Sequence, residues 1–482
     1  MIDGSRLSRR VLLRGGAAVG ALAVAGPAMT SQAMAMAAPA PRLPARGNVV
    51  IRSAYVMTME KGTGDIANGD MHVRDGAIVA VGTKLNAPGA QTINGVGMIV
   101  LPGLVETHWH MWNSLLRSMS GEKPELGYFR TTAALGQKYE PGDMYQGTRL
   151  ACAEAINSGI THVHDWCHNI RGADYADADL RALRESGLRA RFSYGGSQGM
   201  ANSQGIDLGD LRRLARDWAG LSNEGLIALG LAWRGMGGNN PASAITPEIY
   251  KAEIEAARQL GLPVSVHASG SRPVAGQIDT IIKAGLLGKD MQLIHANFAT
   301  ADEIKAVAGA GGAISISPYT ELRIGFGLPQ TVRFLDAGIP VGLSVDTVEL
   351  SGNADMFGIM KVVQNAENGI AENEFKLTAR RVLELGTIEG ARSMGIADKT
   401  GSLKPGKRAD LIMVSTRDIN LGVFGDPAHM IVTAAQPANV DTVMVDGRIL
   451  KRGGKLTAMN VAQIVKDAAA ANMALRKRAG WS

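Results

Sequence analysis

At 482 residues, 46% hydrophobic and 20% charged, the chain has enough material for one large core, and it lacks the run of ~20 apolar residues that a membrane-spanning helix needs. Half of its formal net charge of +6 comes from the first 40 residues, where Arg6, Arg9, Arg10 and Arg14 face only Asp3; the arginines of segment 186–216 are spread out, without interleaved aromatics, so a nucleic-acid-binding stripe is excluded. Two cysteines, Cys152 and Cys167, are too few for a disulfide scaffold, and both read as packing residues.

Residues 1–40 read as a targeting segment. Ser8-Arg9-Arg10-Val11-Leu12-Leu13-Arg14 is a twin-arginine pattern, an apolar stretch runs from Gly15 to Ala28, and Ala33, Ala35, Ala37 and Ala38 are cleavage candidates. The expectation is export by the twin-arginine route to the periplasm or outside, with no stable membrane association after cleavage. From 46 to 102, pieces such as Asn48–Ile51 and Met71–Gly82 alternate like strands with Asp-Gly and Asn-Gly turns. The same texture returns over 397–456, in Asp410–Val414 and in Val440–Arg448. Neither half has enough strands to close a core, so the two are expected to join in one small discontinuous β-sandwich domain.

Between 103 and 396, short apolar runs alternate with helical segments. Strand ends are expected near His110, Asp165, Tyr194, Trp233, His267, His295, Pro318 and Asp346, and Pro247–Leu260 is a representative helix, with Ile249, Ile254, Ala257 and Leu260 near one face and Gly261 as the stop. Eight alternating units predict an α/β fold of the TIM-like (β/α)8 barrel type, whose chemistry sits at the carboxyl ends of the strands. Residues 457–482, with Val461, Ile464, Val465, Ala468 and Ala471 at helical spacing, read as a C-terminal helix on the body.

The polar residues at those strand ends carry the chemistry. In Leu101-Pro102-Gly103-Leu104-Val105-Glu106-Thr107-His108-Trp109-His110 the strand period points both imidazoles to one side, where they can share a metal ion. His267, His295 and Asp346 each close a later apolar run. A second cluster, His162, His164 and His168, ends the second strand; a second metal site there is the lesser reading, and His168 is the better substrate contact. Trp109, Trp112, Trp166, Trp233 and Phe326 are candidate walls of an aromatic pocket, with Trp112 taken as substrate-binding.

The Pro-Gly-Leu-Val-Glu-Thr-His-Trp-His run, the later strand-end residues, and Gly390-Ala391-Arg392-Ser393-Met394-Gly395 followed by Gly401-Ser402-Leu403-Lys404-Pro405-Gly406-Lys407-Arg408-Ala409-Asp410-Leu411 together resemble the amidohydrolase superfamily, in its cytosine-deaminase and triazine-hydrolase-like branch. The resemblance implies one divalent metal ion, Zn2+ with Fe2+ as the alternative, held by His108, His110, His267 and Asp346. It gives His295 the attacking water or substrate oxygen, and Asp346 the proton transfer. The fourth strand carries no lysine, which argues against a carbamylated-lysine bridge and a second ion. In this branch a glutamate usually lies three residues after the fifth-strand histidine, where it protonates a ring nitrogen. Here that position is Gly270, and Glu321 beyond strand seven is the best substitute by position.

These features predict a metal-dependent hydrolase that breaks a non-peptide C–N bond (amide, cyclic amide or carbamate) in a small molecule. The alternatives are a deaminase or dechlorinase of a substituted heterocycle and, from another class, a catalytically inactive metal-binding barrel. Substrate identity and homo-oligomer formation are left open.

Overall fold

The computed structural model describes residues 43–237 and 244–481. The expected twin-arginine segment lies outside the described residues, and among those described no helix is long and apolar enough to cross a membrane.

Both chain ends contribute to one nine-stranded sheet. Its path runs Lys455–Leu456, Arg448–Arg452, Val440–Val445, Leu411–Ser415, Met98–Pro102, Asn48–Met57, Asp65–Arg74 and Ala77–Gly82, with Gln91–Asn94 alongside Asn48–Met57. The two halves join where Leu411–Ser415 pairs antiparallel with Met98–Pro102, Leu411 opposite Pro102 and Ser415 opposite Met98. Strand alternation gives this seam two buried faces. Val100, Leu411 and Met413 pack with Val49, Ile51 and Met71 in the sheet's own core, whereas Ile99, Leu101, Ile412 and Val414 join the core of the barrel. Asp75-Gly76 forms a tight hairpin turn with both φ angles positive (+51° and +83°), the backbone a two-residue type I′ loop requires, and Asp446-Gly447 repeats it at +52° and +74°. Asn68-Gly69 does not turn the chain; it lies inside the strand Asp65–Arg74, where the register with Ala54 shifts.

The barrel consists of eight parallel strands in sequential order: Leu104–Val105, Ile160–Cys167, Arg189–Gly195, Ile227–Trp233, Val264–Ala268, Met291–His295, Ala313–Ile316 and Val341–Leu343. The first is shorter than its apolar sequence suggests. Beyond Val105 the backbone leaves regular pairing and bridges both neighbours at Trp109, whose N–H donates to His164 O (2.9 Å) and whose carbonyl accepts from Trp166 N–H (2.8 Å). On the other side His110 N–H donates to Asp346 O (2.7 Å) and Asp346 N–H to His108 O (2.8 Å), and these bonds, with Thr107 N–H to Leu343 O (3.1 Å), close the barrel.

The helix Pro247–Gln259 buries Tyr250, Ile254 and Ala257 and ends before Gly261, whose φ of +66° suits a residue without Cβ. The terminal helix Val461–Ala479 buries Ile464, Ala468 and Leu475 but leaves Val461 and Val465 about half exposed, so its buried stripe is narrower than the sequence pattern. It docks through Asn472, whose amide donates to Leu115 O (2.6 Å), and through an Arg149–Asp467 ion pair at 3.0 Å.

One buried ion pair ties sheet to barrel. Arg189, the first residue of the third barrel strand, donates through Nε to Asp410 Oδ2 (2.6 Å), and Asp410 Oδ1 accepts from Asp446 N–H (2.7 Å). Both side chains are almost fully buried. Replacing Asp410 with alanine leaves a guanidinium in a dry interface, with Asp446 3.6 Å away as its remaining acid, and should lower unfolding free energy by about 3–5 kcal/mol in chemical denaturation.

Candidate active site

Four side chains meet at the carboxyl end of the barrel. His108 and His110 come from the bridging run after the first strand, His267 from the fifth strand, and Asp346 from just beyond the eighth; each offers one ligand atom, and these atoms lie within 4.8 Å of one another. Asp346 Oδ1 stands 3.2 Å from His108 Nε2 and 3.3 Å from His110 Nε2, and His267 Nε2 is 3.2 Å from His108 Nε2. Three imidazole nitrogens and a carboxylate oxygen converging on one point fit a divalent cation, and His110 Nδ1 lies 3.4 Å from the Trp166 carbonyl, an acceptor that favours the proton on Nδ1 and leaves Nε2 its lone pair. Burial pushes the His108 imidazole down to about 3, with the neighbouring His110 adding to the effect and Asp346 opposing it; His267 is likewise held well below the ordinary range by burial and the adjacent imidazoles. Burial alone would raise Asp346, but its contacts with His108 and His110 hold it well below the usual carboxylate range. These directions keep His108 and His267 neutral and Asp346 ionised, the protonation states that coordination requires.

The surroundings fix these groups. Asp346 adopts φ +61° and is clamped by its two backbone bonds to the His-x-His run, while Oδ2 accepts from Thr320 Oγ1 at 2.6 Å. Glu106, two residues before His108 and fully buried, accepts from His108 N–H (2.7 Å), His164 N–H (3.1 Å) and Val345 N–H (3.3 Å), joining the first, second and eighth strands. Burial raises its carboxyl to about 8, against the pull of those three donors. The strand period places Glu106 on the face of His108, a signal that sequence reading passed over. His295, at φ +73°, presents Nε2 4.0 Å from Asp346 Oδ2 and is tied through Nδ1 to Glu321 Oε1 at 3.0 Å.

A cavity of about 590 Å³ opens over the cluster, lined by His110, His267, His295 and Asp346, by the aromatics Tyr128, Phe129, Trp166 and Phe326, and by the polar side chains of His168, Gln198, Arg234 and Gln277. Several sequence expectations find their places here. His168 does line the cavity. Trp112 does not: fully buried in the short helix Met111–Leu116, it donates from Nε1 to His168 Nδ1 (3.2 Å), which fixes the histidine's proton on Nε2, so its position is that of a support and not of a substrate contact. Trp109 and Trp233 are buried away from the cavity as well. Glu321 is also outside the wall, fully buried behind His295 with further bonds from Ser317 N–H (2.7 Å) and Asn297 Nδ2 (3.3 Å); a carboxylate so enclosed cannot replace an acid at position 270. Gly270 faces the cavity, and a Cβ there would stand 3.2 Å from the His295 ring.

The second histidine cluster does not form a metal site among the described residues. His164 spends both ring nitrogens inside the barrel, on Thr107 O and Ser193 Oγ (2.8 Å each). The outward side of that strand instead groups Asp165, Cys167 and Asp179. Cys152 and Cys167 are both buried and free.

Comparison with known proteins gives the family and the fold. The model of the amidohydrolase family matches residues 99–450. The 5'-deoxyadenosine deaminase of Methanosarcina mazei is 28% identical over 437 residues, covering 87% of this chain and 96% of the relative. Among solved structures, an adenosine deaminase from Xanthomonas campestris with bound zinc superposes with a TM-score of 0.78 at 21% identity, covering 90% of this chain and all of the other. The zinc complex of atrazine chlorohydrolase from Arthrobacter aurescens does so with a TM-score of 0.74 at 24% identity, covering 88% of this chain and 100% of the other.

Two measurements test the arrangement. Alanine at His110 or His267 should abolish stoichiometric metal in elemental analysis together with activity. Glu106→Gln puts an amide NH2 where a backbone N–H needs an acceptor; it should cost about 1–3 kcal/mol in denaturation and loosen metal retention against a chelator.

Proposed function

The chain belongs to the amidohydrolase family and is a metal-dependent hydrolase of carbon–nitrogen bonds other than peptide bonds, and we propose that its reaction is hydrolysis of an amide, cyclic amide or carbamate in a small molecule, at a single Zn2+. The observation that carries this reading is the proton inventory of the cavity. Asp346 is the one carboxylate among the described lining residues, position 270 is glycine, and Glu321 is sealed behind His295. Protonating a ring nitrogen while also activating water calls for a second acid in contact with substrate; amide hydrolysis needs only one group that takes a proton from water and returns it to the departing nitrogen.

His108, His110, His267 and Asp346 would hold a divalent ion, which would supply Lewis acidity and ease deprotonation of the attacking water near neutral pH. Asp346, kept ionised by its imidazole neighbours and aimed by Thr320, accepts the proton of the attacking water. As oxygen bonds to the carbonyl carbon and the C–N bond breaks, Asp346 returns that proton to the nitrogen, giving an acid and an amine. His295, fixed by Glu321, hydrogen-bonds the attacking water or the substrate oxygen. Trp166 packs on His267 and Phe326 on His295, and both exclude water from the cavity. The twin-arginine run supports a further reading, that the enzyme is exported and works in the periplasm or outside the cell.

Deamination of an amino-substituted heterocycle is the second reading, favoured by the Methanosarcina relative's name. Product analysis separates the two: an amide hydrolase releases a carboxylic acid from amides and lactams, whereas ammonia from an amino-heterocycle, with no acid from any amide, would overturn the first. Asp346→Asn should lower kcat by about 10²–10⁴-fold with much smaller change in substrate affinity, read by steady-state kinetics on the metal-loaded variant. Glu321→Gln should lower kcat by about 10–100-fold while metal content stays whole, since it unties His295 and touches no metal ligand.

A further inference from the structure

The cavity has two unlike walls. On one side stand Tyr128, Phe129, Ile324 and Phe326, with the rings of Phe129 and Phe326 stacked at 6.3 Å and 22° and Phe129 65% exposed at the lip. The other wall is built at the ends of the second, third and fourth barrel strands by His168, Gln198 and Arg234. Arg234 follows directly on Trp233 and is the only lysine or arginine among the described lining residues; its side chain is 15% exposed. Its terminal nitrogens reach the carbonyls of Ala201 (3.5 Å) and Gln204, and Glu253 Oε1 stands 3.5 Å from Nη2. These contacts hold the guanidinium in place without using up its five donors, and Nε is buried with no partner among the described residues. Glu253 is a weak counter-charge, because Oε1 is shared with Ile206 N–H (3.0 Å) and burial raises its carboxyl toward the neutral form. The Gln198 side-chain amide makes no bond to the described residues, and His168, with Nδ1 occupied by Trp112, has Nε2–H as its remaining donor.

We propose that this wall is an anion subsite: Arg234, with Gln198 and His168, recognises a carboxylate on the substrate while the scissile carbonyl lies over the metal cluster and an apolar or aromatic group rests on Phe129 and Phe326. The substrate class is then an acidic amide, such as an N-acyl amino acid or a ring-closed amide bearing a carboxylate. This deepens the hydrolase reading and rests on it for the placement of the scissile bond. Charge supports it: with a divalent ion on the four ligands, Asp346 and Arg234 would leave the cavity net positive, for an anion to balance. A guanidinium with open donors also discriminates sharply between a carboxylate and its uncharged amide.

The test compares binding of N-benzoylglycine and its uncharged carboxamide by calorimetry, to the zinc-loaded enzyme and to enzyme stripped by chelator. The acid should bind about tenfold or more tightly than the amide in both forms, and Arg234→Gln should erase that preference. Gln198→Ala, which removes an unpaired amide without disturbing Glu253, should reduce the preference without erasing it. A preference that vanishes with the metal, or survives in Arg234→Gln, would place the carboxylate on the ion and overturn the proposal, as would equal binding, or none, of acid and amide. Binding with the expected pattern but no benzoate release from N-benzoylglycine or other acidic amides would leave the subsite standing and count against the hydrolase reading alone.

Discussion

The structure depends on a backbone exchange between two short irregular runs. His108 O accepts from Asp346 N–H, and Asp346 O accepts from His110 N–H, so the last element of the barrel is stitched to the first through the residues that carry the metal-competent side chains. Barrel closure and the site's geometry thus rest on the same backbone bonds. The regular first strand ends at Val105, which frees the following residues to bridge the second strand and the eighth at once through Trp109. Glu106 reinforces the junction from below by accepting backbone N–H groups from both sides of the seam. A carboxyl in the barrel axis is expensive to bury, and it is tolerated here because three N–H groups would otherwise lack acceptors.

The cost of this arrangement appears in the backbone. His295 and Asp346 both adopt positive φ, at +73° and +61°, a conformation that carries strain for residues with a Cβ. Both sit where a barrel strand ends and a side chain must turn toward the strand axis. Surrounding bonds over-determine them: Asp346 is held by the His-x-His backbone and Thr320, His295 by Glu321, and Glu321 in turn by Ser317 and Asn297. The two cavity-lining side chains are supported by others that do not line it, which holds their geometry fixed.

The sequence made the barrel and its metal-competent residues legible because both follow short-range rules. Apolar runs of strand length alternate with helical segments, and the His108/His110 pair, His267, His295 and Asp346 each close one of them. Positions that depend on loop geometry were not legible. Trp112 looked like a pocket residue because it follows the His-x-His run, but the short helix Met111–Leu116 turns it inward, where its indole serves His168 instead. Glu321 was placed near the site correctly by position, yet its direction is set by the first turn of the helix Pro318–Arg323, which folds the carboxylate back under His295. Tyr128 and Phe129 lie on a helix formed after the first strand, and nothing in their local pattern marks them as cavity lining. Glu106 alone was within reach of periodicity, standing one full strand repeat before His108.

Gly270 links these observations to the chemistry. Its Cα faces the His295 ring, and even a Cβ would press on that ring at 3.2 Å, so the wall beside His295 is adapted to having no side chain there. A larger residue would have to displace His295, and with it the Glu321 contact that orients the imidazole. The absent carboxylate is therefore a feature of a packed wall, and that wall lines the same cavity as Arg234 and Gln198. With one carboxylate at the metal and cationic and amide donors on the far wall, proton transfer and substrate recognition fall to different residues. In the proposed reaction Asp346 handles the proton, which leaves the polar wall free for recognition.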